Sequence, residues 1–273
     1  MGSGSWQTSP AFTGLSPATT YVFYQRIAAT SSSNASPASA GLSVTTEKST
    51  PQAAPRPVLK SVSDSTVTLQ TVVGCEYRME GGNWQSSPEF TGLSPATSYT
   101  FYQRYAATSQ SYAGASSDGL TVVTSKKATD APEAPEAQEV YADCVVLKAV
   151  SGYEYRMEGG SWQSGVTFTG LSPATTYVFY QRRAATSTTL PSAESAGCRI
   201  TTPKRSVSDP AAPVVQSKTS SSVTLVKIEG YEYRMGNGSW QTSPVFTGLS
   251  PATTYAFSQR IRETSDSLPS AES

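Results

Sequence analysis

Short runs of alternating apolar and polar residues recur along the whole chain, and turn-forming residues separate them. The run 66–70, for example, places Val67 and Leu69 on one face and polar side chains on the other. Such period-two alternation predicts half-buried β-strands, and no stretch shows the period of an amphipathic helix. Between positions 54 and 125 the pattern predicts seven strands, A, B, C, C′, E, F and G, at 57–61, 66–70, 75–79, 83–85, 89–90, 99–105 and 120–124.

The segment before the predicted strand F occurs four times with almost the same residues. Thr-Gly-Leu-Ser-Pro-Ala-Thr-x-Tyr occupies 13–21, 91–99, 169–177 and 247–255. Successive copies are 78 residues apart, since 91 − 13, 169 − 91 and 247 − 169 all equal 78. A fixed period of this length predicts a tandem array of small domains, each with its own core.

The period divides the chain into four repeats. Repeat one (1–47) holds only the C-terminal half of the pattern, repeats two (54–125) and three (132–203) are complete, and repeat four (211–273) lacks the last strand. The linkers 48–53, 126–131 and 204–210 are rich in Pro, Ser, Ala and charged residues, so we expect short, semi-extended joints.

The motif Gly-Leu-x-Pro-x-Thr-x-Tyr resembles the signature of fibronectin type III domains. The resemblance implies an all-β array of antiparallel sandwiches, with the motif forming a "tyrosine corner" whose ring points inward. The run Tyr-x-Tyr-x-x-x-Gly-Gly-x-Trp at 153–162 is similar to divergent fibronectin-like repeats of bacterial surface proteins. The chain departs from the common pattern at strand B, where an aliphatic residue replaces the usual core tryptophan.

Composition narrows the classes of function. Lys plus Arg and Asp plus Glu each number 20, which gives no electrostatic reason to expect nucleic acid or an anionic membrane as partner. Histidine is absent, so the commonest general base and metal ligand is missing. No apolar run approaches the roughly 20 residues that span a bilayer. We therefore expect no enzyme activity, no cofactor and no metal.

The three cysteines do not recur with the period. A disulfide framework would repeat with the domain, so we interpret Cys75, Cys144 and Cys198 as free thiols. A Cys144–Cys198 bridge within repeat three is the alternative. Alternation points Cys144 outward and Cys198 inward, which disfavours that bridge.

The outward faces of strands C and F carry the candidate contact residues. In repeat two these are Glu76, Arg78, Tyr102 and Arg104, and in repeat three they are Glu154, Arg156, Tyr180 and Arg182. We expect Glu154 to pair with Arg182 and Arg156 to stack on Tyr180. Such a face is either a solvated ladder or a protein-binding surface, because Tyr and Arg are enriched at binding hot spots.

A tryptophan follows the predicted C–C′ turn of every repeat: Trp6, Trp84, Trp162 and Trp240. One interpretation is a flat platform for a sugar ring. The other is packing at one end of the sandwich against Met79 or Tyr77.

These observations predict a non-enzymatic spacer or adhesion region of a bacterial surface or secreted protein. The alternative is a carbohydrate- or protein-binding module that uses the tryptophans or the C–F face, with a cell-surface protein or glycan as partner. The extracellular location is an implication of the resemblance.

The ends of the sequence fall inside repeats. Residues 1–6 align with 235–240, so we expect either a segment of a longer protein or a start codon assigned at an internal methionine. Repeat one should contain C′, E, F and G, and repeat four should lack G. The G strand of repeat one then has the right pattern to pair with repeat four of another copy, which predicts head-to-tail self-association.

Overall fold

The computed structural model describes residues 4–273, and the alignment of Met1 with Met235 therefore lies outside the described residues. Within 4–273 the protein is all-β, with nineteen strands in seven antiparallel sheets and no helix. The chain forms two compact units. The first runs to Lys127 and includes Ser187–Thr189, and the second comprises Ala128–Thr186 and Leu190–Ser273.

In the first unit, repeat one contributes a two-stranded sheet and repeat two a sandwich of two three-stranded sheets. The sheets are β1–β2, β3–β4–β6 and β5–β7–β8. The strands are β1 (Thr20–Phe23), β2 (Leu42–Thr45), β3 (Leu59–Val62), β4 (Val67–Leu69), β5 (Cys75–Met79), β6 (Glu89–Phe90), β7 (Ser98–Tyr105) and β8 (Leu120–Val123).

The second unit repeats this arrangement in repeat three and keeps all but the last strand of it in repeat four. Its sheets are β9–β10–β12, β11–β13–β14, β15–β16–β18 and β17–β19. The strands are β9 (Ala137–Val140), β10 (Cys144–Leu147), β11 (Tyr153–Met157), β12 (Thr167–Thr169), β13 (Thr176–Arg183), β14 (Cys198–Thr201), β15 (Val215–Lys218), β16 (Ser222–Leu225), β17 (Tyr231–Met235), β18 (Val245–Thr247) and β19 (Phe257–Ile261).

The core of repeat two lies between its two sheets. Val67 and Leu69 of β4 are fully buried, as alternation predicts, and they face Tyr77 and Phe101 from the second sheet. The Phe90 and Phe101 rings are 4.7 Å apart, at a tilt of 51°. The tandem β-sandwich architecture of fibronectin type III type is therefore confirmed by the strand order and by the position of the core.

Tyr77 is the largest fully buried side chain of repeat two, together with its equivalents in repeats three and four, Tyr155 and Tyr233. Its hydroxyl accepts a hydrogen bond from the Val72 N–H at 2.6 Å. A buried phenol needs such a partner for its polar end. The sequence reading did not assign this role to Tyr77, although its place two residues after Cys75 on the inward face of β5 gives the signal.

The corner tyrosine points inward, as predicted. Tyr99 packs against the core of repeat two, and its hydroxyl accepts the Ser94 N–H at 2.9 Å. The chain can turn here because Ala96 adopts a left-handed conformation with φ of 49°. Equivalent alanines adopt it in every repeat: Ala18, Ala174 and Ala252.

The prediction of seven strands per complete repeat was wrong. Repeats two and three have six strands each, because C′ is reduced to a single bridge between Tyr77 and Gln85. The Gln85 side chain then donates hydrogen bonds to the carbonyls of Ser87 and Glu89, at 2.9 and 2.8 Å. These bonds curl the chain into a loop, so the strand cannot continue.

Repeat one contains strands F and G only, and the predicted C′ and E strands are not formed within residues 4–19. In repeat two, C′ bridges to strand C and E pairs with strand B. Repeat one has no B or C in this sequence, so its C′ and E segments lack their pairing partners. Phe12 nevertheless packs on Phe23, with ring centroids 4.6 Å apart.

All three cysteines are free thiols, as the sequence predicted. Cys75 and Cys198 pack against the cores of their repeats, and this burial raises the pKa of both thiols. Cys144 precedes the buried Val145 on β10 and so lies on the opposite face of that strand.

Candidate functional site

The outward face of β5 and β7 is built by their pairing register. Glu76 lies opposite Arg104 and Arg78 lies opposite Tyr102. Because Tyr77 points into the core, its neighbours at 76 and 78 point outward. Arg104 Nε donates to Glu76 Oε1 at 2.6 Å, and the Arg78 guanidinium carbon lies 5.3 Å from the Tyr102 ring centroid.

Trp84 lies over this same face. The guanidinium carbons of Arg104 and Arg78 are 4.2 and 4.8 Å from its ring centroid. The sequence suggested Met79 or Tyr77 as packing partners, whereas the structure places two cations against the indole. Each such contact contributes about 0.5–1 kcal/mol at an exposed site. A sugar ring would have to compete with these guanidinium groups for the indole.

Repeat three has the same set of cross-strand pairs beside a tryptophan, which we call the ladder. Both contacts expected from the sequence are formed. Arg182 Nε donates to Glu154 at 2.8 Å, and the guanidinium carbon of Arg156 is 4.9 Å from the Tyr180 centroid. Arg182 and Arg156 also lie over Trp162, at 4.4 and 5.1 Å.

Repeat four keeps the ladder without the tyrosine, which is replaced by Ser258. Arg260 pairs with Glu232 at 2.9 Å, and Arg260 and Arg234 lie 4.4 and 4.7 Å from the Trp240 centroid. The tryptophan and the two arginines therefore form a unit that does not need the tyrosine.

The central arginine of each ladder is the one on strand C: Arg78, Arg156 or Arg234. The three ladders differ in whether this arginine forms an ion pair. Arg156 Nη2 lies 2.5 Å from Glu194, and Arg234 pairs with Glu272 in the same way. The corresponding residue of repeat two is Ser116, since 194 − 78 = 116. Within residues 4–273, Arg78 makes no ion pair and no side-chain hydrogen bond. The sequence reading missed this difference, because position 116 lies outside the predicted strands.

The joint between repeats one and two is a second feature that the sequence did not predict. The Glu47 carbonyl accepts the Ala18 N–H of repeat one at 3.1 Å. Two residues later, Ser49 donates its N–H to Gln110 O at 3.0 Å and accepts the Tyr112 N–H at 2.9 Å, both from repeat two. The two attachments are separated by one residue, so the start of this linker is docked on repeat two through an extended residue, Ser49, which forms a parallel bridge with Ser111.

The joint between repeats three and four has the same form and adds charge. The Pro203 carbonyl accepts the Ala174 N–H of repeat three at 3.3 Å. Arg205 donates its N–H to Asp266 O and accepts the Leu268 N–H, each at 2.9 Å. These paired backbone groups fix the start of the linker on the F–G loop of repeat four.

Lys204 adds an ion pair at this joint. Its ammonium donates to Glu263 Oε1 at 2.6 Å and to the Thr264 carbonyl at 2.7 Å. The hydrogen bond from Lys204 lowers the pKa of the Glu263 carboxyl, and its charge adds to the effect. The pKa of Asp266 is also lowered, first by a hydrogen bond from the Thr264 hydroxyl.

Two grooves lie beside Trp6, Phe12 and Tyr24 of repeat one. Trp6 and Tyr24 are the equivalents of Trp84 and Tyr102, and Arg26 lies over Trp6 at 4.3 Å, so the grooves belong to the same face in repeat one. Among residues 4–273, no group of three or more His, Cys, Asp or Glu is placed to hold a metal ion. The same residues include no helix that is long and apolar enough to cross a membrane.

Comparison with known proteins identifies no family for this chain. No family model matches the chain, and no curated protein matches it. Among solved structures, the FN1–FN3 domains of chicken CNTN1 are similar to it, with 14% sequence identity, a TM-score of 0.24, and coverage of 82% of this chain and 97% of that one. A score this low carries no argument, so the assignment of the fold rests on the strand pairings described above.

Proposed function

We propose that this chain is a non-enzymatic spacer region of an extracellular or cell-surface protein, with stiff joints between repeats one and two and between repeats three and four. The observation that carries the proposal is the pair of joints at Glu47–Ser49 and Pro203–Arg205, where one residue separates the attachments to successive repeats. The bacterial source and the extracellular location rest on the resemblance of residues 153–162 to repeats of bacterial surface proteins.

A docked linker supports this function for a physical reason. A flexible linker lets neighbouring domains rotate, and its end-to-end distance varies with the square root of its length. A linker held by backbone hydrogen bonds on both sides has few rotatable bonds left between the domains. An array built with such joints holds its length, which is what a spacer that displays another domain requires.

The test measures distances across the joint of the second unit. Spin labels at the exposed turn positions Glu158 and Asn237, with the three native cysteines replaced by alanine, report the separation of repeats three and four by double electron–electron resonance. We expect one narrow distance distribution. Insertion of Gly-Gly-Ser-Gly between Pro203 and Lys204 separates the two attachments and should broaden it.

The matched control puts the same four residues between Ser206 and Val207, where the chain is bonded to repeat four on both sides, through Arg205 and Asp209. It lengthens the linker equally but leaves the bonds of Arg205 in place, so the distribution should stay narrow. A broad distribution for the parent chain would contradict the spacer proposal, as would equal broadening by the two insertions.

The second candidate function is binding through the ladder face. It uses Trp84, Arg78, Tyr102 and Arg104 in repeat two, and Trp162, Arg156, Tyr180 and Arg182 in repeat three. The observation that favours it is the clustering of Trp, Tyr and Arg, the residue types enriched at binding hot spots, on one face of the C–F sheet. A protein or a glycan is the candidate partner.

A glycan array and a tryptophan fluorescence titration separate this candidate from a spacer alone. Sugar binding predicts a response that Trp84→Ala and Trp162→Ala remove together. A response that survives both substitutions would exclude the tryptophans as the sugar platform.

A further inference from the structure

The central arginine of the ladder is neutralised within the chain in repeats three and four, but not in repeat two. Glu194 and Glu272 supply the carboxylates for Arg156 and Arg234. Ser116 stands at their position in repeat two, and its hydroxymethyl group is too short to reach the guanidinium. Repeat two therefore has the arginine of the pair without its anion.

The hydrogen bonds beside this position are the same in the two complete repeats. In repeat two, Ser117 donates its N–H to Gln103 O at 2.9 Å, and Ser117 Oγ accepts the Gln103 N–H at 3.1 Å. Ser195 and Gln181 make the same two bonds, at the same distances, in repeat three. The backbone next to position 116 is thus placed as it is next to Glu194. Repeat two also has Asp118 where repeat three has Ala196, but Asp118 forms no ion pair with Arg78 among the described residues.

The aromatic neighbours hold Arg78 in position for an anion. Its guanidinium lies between 4.8 and 5.3 Å from the Trp84 and Tyr102 centroids, and its Nε is buried without a hydrogen-bond partner. Arg156 Nε and Arg234 Nε are buried in the same way, so the remaining guanidinium nitrogens are the ones that meet a carboxylate. A guanidinium that is already oriented loses less freedom on binding than one on a mobile side chain.

We infer that Arg78 binds a carboxylate supplied by another molecule, and that the ligand is a glutamate side chain of a protein partner. The chain itself shows that the position accepts glutamate, because Glu194 and Glu272 occupy it in the other repeats. We call the position beside Arg78 that Glu194 and Glu272 fill in the other repeats the arginine slot. Trp84 and Tyr102 border this slot, and aromatic residues beside an arginine are the usual composition of a protein-binding hot spot. The inference is independent of the spacer proposal, since a stiff array and a flexible one carry the same slot.

The experiment follows side-chain signals of the full chain by NMR. The probe is N-acetyl-L-glutamate α-methylamide, which carries the side chain of a protein glutamate. The Nε–H signal of Arg78 and the indole N–H signal of Trp84 should shift and approach saturation on the order of 0.1 M probe, as suits one partly exposed charge pair. Signals of Arg156 and Trp162 should shift at least tenfold less, because Glu194 fills that slot.

Three matched controls use the same readout. The neutral glutamine derivative of the probe and sodium chloride at equal ionic strength should leave the Arg78 signal unchanged. Ser116→Glu should remove the response of Arg78, and Glu194→Ala should create one at Arg156. Both substitutions lie at exposed positions, and an unchanged backbone amide spectrum verifies the fold of each variant.

Several results would overturn the inference. Equal shifts at Arg78 and Arg156 would show a general salt effect rather than a slot in repeat two. An Arg78 response that survives Ser116→Glu would place the carboxylate elsewhere. A stronger response to glucuronate than to the glutamate derivative would assign the slot to an acidic glycan, and no saturable response to either would remove the site altogether.

Discussion

Replacement of Tyr77 by phenylalanine tests how repeat two is held together. The ring is fully buried and its hydroxyl accepts the Val72 N–H at 2.6 Å. Phenylalanine keeps the ring but leaves that N–H without a partner in a partly buried turn. An unsatisfied buried donor costs about 1–3 kcal/mol. Tyr77→Phe should therefore destabilise repeat two by about that amount.

The corner tyrosine provides the matched comparison. The Tyr99 hydroxyl also accepts a hydrogen bond from an N–H five residues upstream, but this bond from Ser94 is longer, at 2.9 Å, and exposed. Water can replace the lost hydroxyl there, so Tyr99→Phe should cost about 0.5–1 kcal/mol. Both variants remove a tyrosine hydroxyl, and they differ in how far the backbone N–H that loses its acceptor lies from solvent.

Native-state hydrogen exchange on the full chain measures both effects within one molecule. Amides of β5 and β7 report the opening of repeat two, and amides of β11 and β13 serve as an internal control. A loss of 1 kcal/mol corresponds to about 4–8 °C in Tm for a domain of this size. If Tyr99→Phe proves as costly as Tyr77→Phe, burial of the N–H is not what determines the effect, and the reasoning fails.

Three further predictions follow from single features. Ala96→Gly should stabilise repeat two by about 0.5–1 kcal/mol, because a left-handed alanine costs about 1–2 kcal/mol and glycine recovers most of it despite its larger unfolded-state entropy; a lower Tm would refute this. Because the pKa of Glu263 is lowered in the folded protein, its ion pair stabilises the joint above the ordinary carboxyl range, and this stabilisation is lost as the pH falls through the lowered pKa. Hydrogen-exchange protection at the Arg205 amide should therefore decrease below about pH 4. No decrease, or an equal decrease in Glu263→Gln, would contradict this prediction. Light scattering should detect head-to-tail association through the open edge of β19. Since 273 − 78 = 195, a copy of residues 196–202 added at the C-terminus continues the repeat in register, and it should reduce the association by supplying strand G. A monomeric parent chain would exclude that association.

The parts of the fold that could be predicted are those set by alternation and by the repeated corner. Val67 and Leu69 are buried because one face of the sheet packs on the core and the other faces solvent, so every second residue must be apolar. The outward pairs Glu154–Arg182 and Arg156–Tyr180 follow from the same rule once strands C and F are known to be neighbours.

The joints were not predictable in this way, because their bonds involve backbone groups. Ser49 binds through its N–H and C=O, which every residue other than proline has, so no side-chain pattern marks the site. The C′ strand was overestimated for a related reason. Asn83 to Gln85 have acceptable strand residues, but the bonds of the Gln85 side chain to its own loop end the strand.

The contrast between Ser116 and Glu194 shows how a duplicated domain can change its binding without changing its fold. The adjacent Ser117 and Ser195 carry the hydrogen bonds that hold the segment to strand F, so they are tied to the structure. The exposed residue before them makes no backbone-determining contact and is open to substitution at little cost in stability. A glutamate there closes the arginine slot from within and a serine leaves it open, so the repeats of one array can share a scaffold and still differ in what they bind.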